Sequence, residues 1–290
     1  MRLLRDKQIE AALRCPLCGN SITVQESGSG SLVCLGARKH CFDLSSSGYV
    51  NLAMPGQSMG GDSKQAVRAR SQFLNAGYYA PVAKALCESL CNVCKEEKGL
   101  LIDAGCGEGY YTEQLAACGF SSLGVDLSKF AVDAAAKRVM RSGADNAFFA
   151  VGSVFSLPVA DESADIVVNI FAPCAEEEFV RVLKQGGILA VAHAGPEHLM
   201  GLKRALYDMP RGNEGRADLP KTLRLLGEAR VRYDIDVQGI EAIQSLFAMT
   251  PYYWKTSRSD GEKLLTKTSL QTEVDIIISL YRKDSIKETV

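Results

Sequence analysis

The sequence predicts an α/β fold, a doubly wound and mostly parallel sheet, with a small cysteine-rich module in front of it. Three observations carry this. From about residue 99 onward, short apolar runs alternate with helical patterns, which is how crossover helices join parallel strands. The first of those runs ends in a glycine-rich turn, where a doubly wound sheet lets the backbone approach a ligand. Residues 15–50, by contrast, are rich in Cys, Gly, Ser and short β-prone runs, and a segment so small has little core of its own.

The 290 residues, 47% of them hydrophobic, suit one large domain plus an appendage. The expected boundaries are 1–52 for the cysteine-rich module, 53–97 for a linker and leading helices, and 98–290 for the α/β domain. No apolar run approaches the roughly 20 residues of a membrane span, and the first residues lack a secretory pattern. A cytoplasmic protein with no membrane partner is therefore expected. The net charge of −1 is unevenly spread: residues 1–70 hold nine Lys/Arg against five Asp/Glu. A basic front end on an acidic body fits a nucleic-acid-facing module.

Ten cysteines in a chain expected to be cytosolic point to metal binding or burial rather than disulfides. Cys15-Pro16-Leu17-Cys18 is a C-x-x-C knuckle, followed by Cys34, His40 and Cys41. Such a knuckle offers two thiolates from one loop to a tetrahedral zinc ion. Cys15, Cys18, Cys34 and His40 form the expected ligand set, with Cys41 as the alternative fourth ligand. Four protein ligands leave no open position, so the zinc would be structural. Cys87, Cys91 and Cys94 fall at i, i+4, i+7 and read as one face of a helix. Cys106 and Cys174 read as packing residues.

The polar stretch at 55–64 reads as a linker, and helical spacing follows through Val67, Phe73 and Leu74, then Val82, Leu86, Leu90 and Val93. Strands are expected at 99–105, 121–127, 146–152, 164–171 and 186–194, with helices over 110–118, after 127 and over 176–183; two more strands are expected at 228–237 and 272–281.

The chemistry concentrates at the strand ends. Asp103-Ala104-Gly105-Cys106-Gly107-Glu108-Gly109 gives G-x-G-x-G with an acid two residues ahead, unlike the G-x-G-x-x-G that cradles a pyrophosphate. Asp103 would repel a pyrophosphate and attract the ammonium group of a methionine moiety. Asp126, about twenty residues on, ends the second strand where a carboxylate accepts ribose hydroxyls. Gly152 and Ser153 end the third strand, where an adenine fits, and Asn169 lies near the end of the fourth. This combination resembles the Rossmann-like class I methyltransferases that use S-adenosylmethionine. The fourth strand does not complete the N-P-P-Y pattern of enzymes that methylate exocyclic amines.

Longer stretches narrow the resemblance. CPLC, HCFDLSSSGYVNL, ARSQFLNAGYYAPV, LIDAGCGEGYYT, FAPC, GPEHLMGLK and MTPYYW together resemble the bacterial 23S rRNA guanine-N1 methyltransferases of the RlmA type. The resemblance implies an N-terminal zinc-ribbon-like domain held by three cysteines and a histidine, and a hairpin of 23S rRNA as partner. It implies cofactor contacts at Tyr79, Gly107, Glu108 and His198, beside Asp103, Gly105, Asp126, Gly152 and Ser153. Asn169, His198 and the carbonyls of Phe171–Pro173 are candidates for handling the N1 proton, and Arg14, Arg38, Lys39, Arg68 and Arg70 for gripping phosphates. Tyr252, Tyr253 and Trp254 fit base stacking and core packing equally well. The same cofactor core also serves small-molecule and other RNA methyltransferases, and the oligomeric state stays open, a homodimer included.

Overall fold

The molecule is described from a computed structural model, in residues 4–25, 30–54, 56, 61–94, 98–215 and 219–284. Of the expected linker, residues 55 and 57–60 lie outside that set. The chain begins with a short helix that periodicity alone did not single out, α1 (Lys7–Ala12), capped by the Asp6 carboxylate accepting from the Gln8 and Ile9 N–H groups. Three short antiparallel strands follow, β1 (Ile22–Val24), β2 (Ser31–Cys34) and β3 (Cys41–Asp43). They make a ribbon too thin to bury a core, and their apolar residues Ile22 and Leu32, with Leu13 after α1, join one cluster with Val125, Phe148 and Leu157 of the main body.

The next strand, β4 (Val50–Asn51), pairs parallel with a strand nearly a hundred residues further on, Val50 opposite Ala150. Helices α2 (Lys64–Asn75) and α3 (Ala80–Val93) then lead to the sheet. Ser63 caps α2 through the Ala66 N–H, and Pro81 sits in the first turn of α3, where its missing N–H costs nothing. Cys87 and Cys91 of α3 and Cys94 at its C-cap lie partly buried against the core, along one side of the helix.

The remaining elements alternate: β5 (Leu100–Ala104), α4 (Tyr110–Ala117), β6 (Ser121–Asp126), α5 (Lys129–Ser142), β7 (Ala147–Val151), β8 (Ala164–Ile170), α6 (Glu176–Val182), β9 (Leu183–Ala194) and α7 (Met200–Leu206). The long β10 (Arg224–Gln238) is followed by α8 (Ile240–Ala248), α9 (Tyr252–Lys255), α10 (Arg258–Glu262), a 3-10 turn (Lys263–Thr266) and β11 (Ser269–Arg282). The sheet runs β10-β11-β9-β8-β5-β6-β7-β4. It is parallel from β4 to β9 and antiparallel where β11 meets β9 and β10. β5 and β8 are adjacent although β6 and β7 intervene in sequence. That reversal of winding opens a crevice at the carboxyl ends of the strands. No helix among the described residues is long and apolar enough to cross a membrane.

Candidate cofactor pocket and metal centre

The crevice holds a cavity of about 360 Å³ bounded by the ends of β5, β6 and β8, by Gly61 and Asp62, and by the second half of α2. The backbone after β5 builds its floor. Gly105 adopts a φ of +87°, and a Cβ there would lie 2.4 Å from the Ala172 Cβ. Its N–H donates to the Val125 carbonyl at 2.8 Å, so the turn is tied to β6 while it skirts β8. Gly109, at φ +73°, caps α4 where a Cβ would meet that of Ala135 at 2.7 Å. Only glycine combines that dihedral with that proximity.

Asp103 is 1% exposed at the end of β5. Its Oδ2 accepts from the Thr112 hydroxyl at 2.6 Å, while Oδ1 is buried with no partner among the described residues. Burial pushes the carboxyl up to about 7, against the Thr112 hydrogen bond and aided by the nearby charges of Asp126 and Glu108. A buried acceptor without a donor costs free energy, and a cationic donor in the cavity would satisfy it. The Tyr111 hydroxyl is a second unpartnered polar group in the same wall.

Asp126 holds the loop by accepting the Gly107 N–H at 3.0 Å and the Ser128 N–H at 2.8 Å. One acceptor position per oxygen is thereby used, and each carboxylate oxygen has a second for a ligand hydroxyl. Ser153 borders the cavity, whereas Gly152 sits behind it, its Cβ position 3.1 Å from a Val125 methyl. Glu108 is 2% exposed and turned toward α2, where its Oε2 accepts from Arg70 Nε at 2.6 Å. Arg70 also pairs with Asp62. This clamp seats α2 over the glycine loop, and it occupies Arg70, which the sequence suggested for phosphates. Arg14 is likewise engaged, donating to the carbonyls that end α1. Arg38, Lys39 and Arg68 are exposed.

The two candidate catalytic side chains stand behind the cavity wall. Asn169 is fully buried, its amide donating to the carbonyls of Ala104 and Pro173 at 3.1 Å each. It ties the end of β8 to the end of β5. The structure brings Tyr79 and His198 together, with the Tyr79 hydroxyl 3.1 Å from His198 Nε2. The Asp275 N–H donates to His198 Nδ1 at 3.3 Å, so Nε2 carries the ring hydrogen and donates to Tyr79. Burial lowers the imidazole to about 4, leaving it neutral near pH 7. Between this pair and the cavity stands Phe171, whose ring lies 6.1 Å from that of His198 at 17°. Phe171 is 46% exposed and has a φ of +52°, a strained setting for a side chain with a Cβ. The sequence offered Phe171 only through its carbonyl and not through its ring; its N–H donates to the Ala192 carbonyl on β9 at 3.1 Å.

At the other end of the molecule, one ligand atom each from Cys15, Cys18, Cys34 and His40 lie within 4.8 Å of one another. Cys15 Sγ and Cys18 Sγ stand 3.4 and 3.6 Å from His40 Nδ1, and Cys18 Sγ stands 3.3 Å from Cys34 Sγ. Tetrahedral zinc with bonds of about 2.0–2.3 Å needs edges of roughly 3.5–3.8 Å, so the donor set fits. Cys41 is exposed and outside the cluster. Neighbouring positions here alternate sides as β3 begins, and His40 takes the inward one.

Comparison with known proteins follows this division. The family description "RlmA, N-terminal" matches residues 13–59 and "Methyltransferase domain" matches residues 95–229. The 23S rRNA (guanine(748)-N(1))-methyltransferase of Streptomyces fradiae is 30% identical over 86% of this chain and 88% of its own length. Bacillus subtilis YxjB, provisionally named a 23S rRNA (guanine-N(1)-)-methyltransferase, is 31% identical over 92% of this chain and 96% of its own. The chain belongs to the RlmA-type 23S rRNA (guanine-N1)-methyltransferase family. A methyltransferase domain of this family uses S-adenosylmethionine, and the four-residue cluster fits the structural zinc of its N-terminal ribbon.

Two measurements check these sites. Asp103 attracts a cation only when ionised, and it titrates near 7 rather than at the usual 3.8. Affinity for S-adenosylmethionine, read by calorimetry, should therefore rise as pH climbs from about 5.5 through 7. Asp103→Asn should weaken binding about 10- to 100-fold, as loss of a charge-assisted hydrogen bond does, and should flatten the pH profile. For the metal, mass spectrometry of purified protein should find about one zinc per chain. Cys41→Ala should retain it, and His40→Ala should lose most of it.

Proposed function

We propose that the chain transfers a methyl group from S-adenosylmethionine to N1 of a guanine in a hairpin of 23S rRNA. The unpartnered Asp103 oxygen beside the glycine loop carries the reading, supported by the names of the relatives. We propose too that the RNA is recognised by residues 1–52, that 53–97 lead into the core, and that 98–290 form the transferase.

The cofactor brings a methyl group already activated on its sulfonium, so the protein's work is binding and alignment. Asp103 holds the ammonium end and Asp126 the ribose hydroxyls, while Ser153, backed by Gly152, borders the adenine end. The glycine backbone at 105–107 lets the cofactor lie against the sheet edge. Phe171 presents a flat apolar face at the mouth of the cavity, suited to a nucleobase. Tyr79 and His198 hold that ring from behind, and Asn169 fixes the strand ends. All three act as positioning residues, including the two that the sequence offered as catalytic.

Guanine N1 is protonated at neutral pH and lies on the Watson–Crick edge. The base must therefore leave its pair or be offered from a loop. The backbone carbonyls of Phe171–Pro173, the last of which also accepts from Asn169, orient the base by accepting a hydrogen bond from N1–H; as the N1–methyl bond forms and the sulfonium–methyl bond breaks, the N1 proton passes to solvent water. Arg38 and Lys39 on the ribbon, with Arg68 on α2, are the cations available to phosphates.

Purified protein incubated with S-adenosylmethionine and unmodified 23S rRNA should create a reverse-transcriptase stop one nucleotide before a single guanine, because N1 methylation blocks pairing. The stop should require the cofactor and vanish in Asp103→Asn. Cofactor binding without any stop would assign the methyl group to another RNA or to a small molecule.

A further inference from the structure

A larger cleft, about 770 Å³, lies on the far side of α2 from the cofactor cavity, between α2 and the α8–α10 segment. Arg70 and Leu74 of α2 face the cofactor cavity, whereas Gln65, Arg68 and Gln72 face this cleft. The two spaces are thus separated by one helix, about 10 Å across.

The aromatic triplet of the MTPYYW stretch divides here. Tyr252 is a packing residue, its hydroxyl donating to Asn213 at 2.9 Å. Tyr253 stands edge-to-face against Phe247 at 5.3 Å and against Trp254 at 5.1 Å and 88°. Trp254 is thereby braced, yet it is 74% exposed, an unusual state for the largest apolar side chain. The same cleft is lined by the amides of Gln65, Gln72 and Gln244, groups that donate and accept hydrogen bonds as base edges require, the Gln72 oxygen also accepting from the Ser245 hydroxyl. Arg258 is paired with Glu262 at 3.0 Å, and Glu241 also borders the cleft. Arg68 is exposed and makes no ion pair among the described residues.

Resting on the reading that RNA is the substrate, we propose that this cleft is a second nucleotide subsite: an unpaired nucleotide flanking the target guanine stacks on Trp254, with its phosphate on Arg68. A braced, exposed aromatic plane with a free cation beside it is how proteins hold single-stranded nucleic acid without reading its sequence. Stacking a neighbour one helix-width from the cavity would hold the strand open while the target base enters. It also gives α2 two tasks, closing the cofactor site through Arg70 and lining the RNA path through Arg68.

Trp254 is the chain's single tryptophan, so its fluorescence reports the subsite directly. The full chain, saturated with S-adenosylhomocysteine to prevent turnover, is titrated with an unmodified 23S rRNA transcript while emission and filter retention are followed together. The proposal predicts quenching that saturates with RNA binding. Trp254→Ala should weaken RNA binding about 5- to 100-fold, the effect of losing one stacked base, with Trp254→Phe restoring most of it and S-adenosylhomocysteine affinity unchanged in both. Bound RNA with unaltered emission, or a Trp254→Ala protein that binds RNA like the parent, would overturn it and leave the cleft to a protein or small ligand. If the parent itself neither binds nor methylates the transcript, the RNA reading fails, and this inference with it.

Discussion

The close passage of the backbone between β5, β6 and β8 is the constraint on which the rest depends. At Gly105 the chain turns with a φ of +87° and leaves room for nothing larger than hydrogen beside Ala172. That turn hangs from the Val125 carbonyl, and the next one hangs from the Asp126 carboxylate. The same geometry buries Asp103 with one oxygen satisfied and the other open. A fold that buries a carboxylate and leaves an acceptor empty gives up stability; a cation in the cavity recovers it. Structure and binding chemistry are therefore set by the same few atoms.

Around this point the molecule is built to hold things still. Asn169 links the ends of β5 and β8, the Arg70–Glu108 pair seats α2, and the buried Tyr79–His198 pair supports Phe171. The ribbon is part of the same body. Its apolar residues share a cluster with β6 and β7, and β4 extends the main sheet. Zinc closing the Cys15, Cys18, Cys34 and His40 cluster would thus fix basic residues in a set relation to the transfer site. Without a metal, so short a segment would rely on those borrowed contacts alone.

Much of this was legible from local sequence, and the parts that were not share a cause. The strands read clearly because buried parallel strands are apolar throughout, and Asp103, the glycine loop and Asp126 were found bordering one cavity because their places follow from position at strand ends. Local patterns say nothing about partners far along the chain. The two-residue strand β4 was invisible as a sheet member because its partner is β7. Arg70 resembled a phosphate ligand until Glu108 claimed it. His198 and Asn169 were offered for their functional groups, and what spacing could not show is that hydrogen bonds from Asp275 and to Ala104 and Pro173 also tie them to the scaffold. The Phe171 ring was not singled out, because its exposure at the cavity mouth depends on a backbone conformation that no local pattern reports. The sequence favoured His40 with Cys41 as the alternative, and the direction each side chain takes as β3 begins separates them.

The central claim is that Asp103 supplies the missing half of the cofactor's recognition. A crystal structure of the chain with S-adenosylhomocysteine tests it most directly. The account predicts the ligand's amino nitrogen at about 3 Å from Asp103 Oδ1, with the ribose hydroxyls on Asp126. A cofactor whose amino group is held elsewhere, leaving that oxygen still without a donor, would contradict it.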